Sequence, residues 1–103
     1  MDRSRCTVES DFTGAHLLHL AAAGCVLNDL YREAAALGTA LDGVRVSAAG
    51  GFTDSGESTG VTYTVEISSH ASAEDLEHLL RLVDEVAEIP RAIRAGAPVH
   101  RVP

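Results

Sequence analysis

The sequence predicts an α+β domain built from one long helix, a β-hairpin and a second helix. Three observations carry this. Residues 13–37 repeat apolar side chains at helical spacing: Leu17, Leu18, Ala21, Ala22, Cys25, then Leu27, Leu30, Tyr31, Ala34 and Ala35. GVRVSAAGGF (43–52) and VTYTVEISSH (61–70) alternate apolar and polar residues on either side of TDSGESTG, a turn-forming cluster. SAEDLEHLLRLVDEVAE then places Leu76, Leu79, Leu80, Leu82, Val83 and Val86 on one helical stripe.

Taken in order, SRCTVE (4–9) alternates briefly, with Cys6 and Val8 on one face, and predicts a short strand. Ser10 and Asp11 offer N-cap oxygens ahead of the apolar run. The long helix is apolar almost all round in its first half, which predicts burial from several sides. Gly38 supplies its C-terminal stop. Val44, Val46 and Ala48 form one face of the first hairpin strand, and Val61, Tyr63, Val65 and Ile67 one face of the second. Ser72 or Ser69 begins the next helix, whose acidic first turn suits the positive end of the helix dipole. IPRAIRAG (89–96) reads as a short helix or turn, opened by Pro90 and stopped by Gly96. APVHRVP (97–103) reads as a last edge strand. The order of elements is that of a single α+β domain across residues 1–103.

Composition narrows the function. The formal charge is −7 and all eight basic residues are arginine, a balance that works against nucleic acid and anionic membrane surfaces. No apolar run is long enough to span a bilayer. The first ten residues, MDRSRCTVES, lack the apolar core of a signal peptide, so the expected location is the cytoplasm. No CxxC, HExxH or GxGxxG pattern occurs, and no cofactor or metal is expected. With Phe12, Phe52, Tyr31 and Tyr63 as the only aromatics and no Trp, the core must be built from small aliphatics. Each buries little area, at roughly 25 cal/mol per Å². The expectation is that a second copy completes the core in a homodimer.

The chemistry-bearing residues centre on LAAAGCVLND (20–29). Cys25 is either a reactive thiol or a small apolar core residue. Asp29 and Arg32 lie near it on the helix surface. Arg32 would favour a thiolate and Asp29 would oppose it. Asn28 and Asp29 are polar in an apolar helix, and a buried Asp29 requires a partner, for which Arg32, or an arginine of a partner chain, is the economical choice. His16 and His19 stand at i, i+3 but have no third ligand, and read as solvated or capping residues. His70, His78 and His100 form no ligand pattern, and Glu74, Asp75 and Glu77 read as a solvated face.

The run LLHLAAAGCVLNDLYREAAALG, the hairpin LDGVRVSAAGGF with its acidic turn, and SAEDLEHLLRLVDEVAEIPRAIRAGAPVHRV resemble, in order and spacing, the OsmC/Ohr family of osmotically induced and organic-hydroperoxide-resistance proteins. The resemblance covers residues 13–103. It implies an OsmC-like fold in an intertwined homodimer, with two long helices back to back and wrapped by sheets. It also implies a thiol peroxidase acting on organic hydroperoxides, part of the oxidative stress response. Cys25 takes the place of the peroxidatic cysteine. The second, resolving cysteine falls on Ile89, and the family's glutamate before the first cysteine falls on Ala15. The N-terminal strands of the family are largely missing, which leaves Arg3 and Arg5 to replace its N-terminal arginine. Cys6 is a candidate substitute for the resolving thiol. Two readings stay open. One is a peroxidase with Cys25 as nucleophile and Arg32 and Asp29 beside it. The other is a catalytically degenerate dimeric module that binds a small apolar ligand or a protein partner.

Overall fold

The computed structural model describes residues 6–103. Arg3 and Arg5 lie outside the described residues. The chain runs α1 (Gly14–Leu37), β1 (Gly43–Phe52), β2 (Ser58–Ser68), α2 (Ala73–Val86) and α3 (Glu88–Ala95).

Helix α1 begins later than the Ser10 and Asp11 oxygens would have it. Thr13 is its N-cap: the Thr13 side chain accepts the His16 N–H at 3.1 Å. Ser10 instead turns its hydroxyl to the Asp11 carbonyl. The helix ends at Gly38, whose φ of 72° lies in the left-handed region open to glycine. The Gly38 N–H closes the last turn onto the carbonyls of Ala34 and Ala35.

The hairpin pairs β1 with β2 in antiparallel register, Val44 opposite Ile67 and Val46 opposite Val65. These side chains, with Tyr63, face the helices and pack on the core. The second strand starts at Ser58, inside the stretch expected to be turn, because Thr53 closes the turn early: the Thr53 N–H donates to the Glu57 carbonyl, and the Glu57 N–H donates to the Thr53 hydroxyl. A bulge between Gly50 and Phe52 ends the regular ladder.

One core joins the elements. Val26 and Leu30 of α1, with Leu79 and Val83 of α2, are the largest side chains fully removed from water, and Ala34, Leu41 and Ala87 complete the cluster. Ser72 caps α2 by accepting the Asp75 N–H at 3.1 Å, as the sequence indicated.

Three expectations are corrected. Residues 6–9 form no strand, and neither do residues 97–103. Both stretches place apolar residues in solvent (Val8, Val99 and Val102), so alternation alone finds no neighbouring strand edge to pair with here. Within one copy, helix α1 is covered on one side. Its buried residues are His19, Ala22, Ala23, Val26, Asp29, Leu30 and Ala34, while Leu17, Ala21, Gly24, Asn28 and Ala35 stay exposed along the opposite stripe. Lastly, His19 is neither solvated nor a cap. It is 7% exposed, and its ring stacks on Phe52 with centroids 6.4 Å apart.

His19 explains Gly50. A Cβ at Gly50 would sit 2.7 Å from His19 Nε2 and would collide with the Gly60 carbonyl oxygen. The hairpin approaches α1 this closely only without a side chain there. Gly50→Ala should therefore destabilise the protein by about 1–3 kcal/mol, the usual cost of overpacking. Leu30→Ala should cost about 2–5 kcal/mol through the cavity it leaves. Urea denaturation of both variants checks these values.

Candidate functional site

Cys25 lies in the middle of α1, half-buried, between the covered face and the exposed stripe. It packs against the edge of the core cluster. The backbone N–H of Ile89 points at Cys25 Sγ across 3.5 Å and donates to it. Residues 25 and 89, 64 apart in the chain, are thus brought together.

The local sequence explains why that amide is available. Ile89 sits in the first turn of α3, where backbone N–H groups have no partner within the helix. Ala87, the N-cap, has no side-chain oxygen to satisfy them, and Pro90 has no N–H to offer. Sulfur takes the Ile89 donor instead. The first turn of α3, which also carries Glu88, thus presents a backbone donor to the sulfur.

Arg32 and Asp29 occupy the next turn. Asp29 is 4% exposed, and the Arg32 guanidinium reaches its Oδ1 at 3.2 Å. Asn28 donates to the same oxygen at 3.3 Å. The buried carboxylate therefore has the partner that its burial demands. Arg32 also reaches Glu33 Oε1 at 3.5 Å, so its guanidinium is shared between two carboxylates. Ala15, in the first turn of α1, is partly buried.

Cys6 is exposed and outside any helix or strand, its sulfur turned to the Thr7 carbonyl. Both thiols are free. Burial, and then the Cys6 thiol, push the Tyr31 phenol up from its ordinary range. A surface depression of about 380 Å³ lies against Tyr31, Arg32, Thr39 and Leu41; Cys25 does not line it.

His16 serves the α1 cap, with Nδ1 2.6 Å from Thr13 Oγ1. His70 lies 3.9 Å from Asp42 in solvent. Glu74, Asp75 and Glu77 are exposed. Among the described residues, no group of three or more His, Cys, Asp or Glu side chains gathers where it could hold a metal ion. Nor is any described helix long and apolar enough to cross a membrane.

One network escaped the sequence reading. Tyr63 of β2 donates its hydroxyl to Asp84 Oδ1 of α2 at 2.5 Å. Arg94 of α3 donates to the same oxygen at 3.0 Å and to the Asp84 carbonyl at 3.1 Å. Burial first, then the bond to Asp84, push the Tyr63 phenol up to about 12. No sequence signal joins residues 63, 84 and 94, which come from three different elements.

The comparisons agree on the architecture. Residues 7–101 match the family described as OsmC-like protein. The crystal structure of an OsmC-like protein from Mycoplasma pneumoniae superposes with a TM-score of 0.76 at 14% identity, over 84% of this chain and 64% of that one. An OsmC-like protein of unknown function from Vibrio cholerae superposes with a TM-score of 0.60 at 18% identity, over 77% of this chain and 56% of that one. The chain thus spans less than two thirds of either relative's length. No curated protein matches.

The raised Tyr63 phenol links stability to pH. The folded state holds the proton more tightly than the unfolded chain, whose phenol titrates near its ordinary 10. This contribution is fully present below about pH 10 and is lost as pH rises towards 12. With solvent screening at a partly exposed site, it amounts to on the order of 1 kcal/mol. Tyr63→Phe should flatten the fall in stability between about pH 10 and 12, as read by urea denaturation.

Proposed function

The chain belongs to the OsmC-like family, and from that premise we propose that it reduces organic hydroperoxides with Cys25 as the nucleophile. The observation that carries this reading is the Ile89 N–H, donated to Cys25 Sγ from the first turn of α3. It supplies what a peroxidatic sulfur requires: stabilisation of negative charge beside an apolar wall, on a side chain that is only half-buried.

The Cys25 thiolate attacks the terminal oxygen of the hydroperoxide. An S–O bond forms as the O–O bond breaks. The departing alkoxide takes a proton from solvent and leaves as the alcohol. Sulfur is oxidised by two electrons to the sulfenic acid, and the peroxide is reduced by two. Position 89 holds isoleucine, so no neighbouring thiol resolves the sulfenic acid from there. A small external thiol attacks its sulfur instead, which releases water and leaves a mixed disulfide. A second external thiol then displaces Cys25 and restores it.

Homodimerisation is part of the proposal. The stripe of Leu17, Ala21, Gly24, Asn28 and Ala35 is exposed on the side of α1 that faces away from the hairpin and α2. Small residues let two such helices approach closely, and Cys25 borders the stripe. A second reading is favoured by Ile89 and Ala15, which stand where the family's second cysteine and glutamate would be. In that reading the same dimer binds a small apolar ligand or a protein partner and carries out no redox step.

One assay separates the two. Wild-type protein should consume cumene hydroperoxide in the presence of dithiothreitol, and Cys25→Ser should lose at least about 100-fold of that rate, the scale expected when a nucleophile is removed. Consumption that is absent from wild type, or that survives the substitution, overturns the peroxidase. Sedimentation should show a dimer at micromolar concentration. A monomer there would remove the role given to the exposed stripe.

A further inference from the structure

Helix α3 has eight residues, too few to hold a helical fold by itself. Its position must come from its contacts. It begins one residue after α2 ends, at the buried Ala87 hinge shared by the two helices. Its first turn carries the buried Pro90 and the Ile89 amide that meets Cys25. Its last turn carries Arg94, whose two nitrogens grip Asp84 by side chain and main chain. Asp84 is in turn fixed by Tyr63, from the inner face of the hairpin.

We infer that Tyr63, Asp84 and Arg94 are positioning residues, a clamp on the far end of α3 that sets the reactivity of Cys25 by keeping the Ile89 amide on its sulfur. None of the three has a polar contact with the sulfur. They act through the helix. Two anchors fix the line of a two-turn rod. Without the Arg94 anchor, α3 pivots about Ala87 and the 3.5 Å contact at its first turn lengthens. Asp84 and Arg94 are each about half exposed, so their pairing adds little to global stability and its loss is readable in a folded protein. The clamp deepens the peroxidase reading, but its test does not depend on peroxide being consumed.

The test is the rate of alkylation by iodoacetamide at pH 7, followed by peptide mass spectrometry. Cys6, exposed in the same molecule, is the internal reference. Arg94→Gln should slow Cys25 by about fivefold, the scale of a helix N-terminus acting on a charge, and leave Cys6 unchanged. Tyr63→Phe should slow it less. Arg94→Lys keeps one donor for Asp84 and should restore most of the loss. A merely structural role predicts the opposite sign, because a loosened α3 uncovers the sulfur and speeds alkylation. An unchanged or faster Cys25 in Arg94→Gln and Tyr63→Phe, with helical circular dichroism retained, overturns the clamp. If Arg94→Gln does not fold, the Tyr63→Phe rate decides. Wild-type protein that consumes no hydroperoxide, with a Cys25 rate that still depends on Arg94, overturns the peroxidase and leaves the clamp standing.

Discussion

Among the described residues, Val26 and Leu30 on α1 meet Leu79 and Val83 on α2 in the one place where large side chains are wholly withdrawn from water. Everything that concerns Cys25 hangs from that contact. It sets the rotation of α1, and so it decides that Cys25 faces the flank and not the centre of the core. It also sets the line of α2, and therefore where α2 delivers the chain at Ala87. Helix α3 has no such contact of its own size. Its residues add only Pro90 to the buried set, and it is carried by the helix before it.

The electrostatics at sulfur follow from the same placement. Asp29 lies one turn beyond Cys25 and would oppose a negative sulfur if it stood alone. It does not: Arg32 and Asn28 close on its Oδ1. Arg32 is shared with Glu33, so it weakens the field of Asp29 at the sulfur without cancelling the charge of the group. The start of α3, which also carries Glu88, brings Cys25 a donor that its own helix cannot use. In the proposed peroxidase, the neighbour that would favour an activated sulfur is a backbone amide from another element, not a charged side chain of α1.

Much of the architecture was legible because it is written in periodicity. The 3.6-residue repeat of α1 with its stop at Gly38, the alternation of β1 and β2, and the Ser72 cap on α2 are local signals, and local signals survive without knowledge of neighbours. The pairing of Asp29 with Arg32 was legible for the same reason, since both lie on one helix three residues apart. Residues 6–9 and 97–103 were not, because a strand needs a partner that the alternating pattern does not reveal. His19 was missed because its burial comes from the hairpin passing over it at Gly50. The Tyr63, Asp84 and Arg94 network was out of reach altogether. It needs three elements docked before any of its bonds exists.

The contrast between residues 25 and 89 says what kind of divergence this fold tolerates. A thiol that would resolve an oxidised Cys25 is a side chain, and one codon change removes it; the sequence has isoleucine there. The donor that favours charge on Cys25 is main chain, and isoleucine carries it as well as cysteine would. Only a change in the course of α3, or a proline at position 89, would abolish it. The two halves of a thiol cycle are thus exposed unequally to mutation. In the proposed cycle, activation would rest on the backbone and on the packing of α1 on α2, whereas resolution would rest on a single replaceable atom. On that proposal, a chain of this fold that lacks the second half would draw its electrons from an external thiol and keep the first half as long as its core is intact.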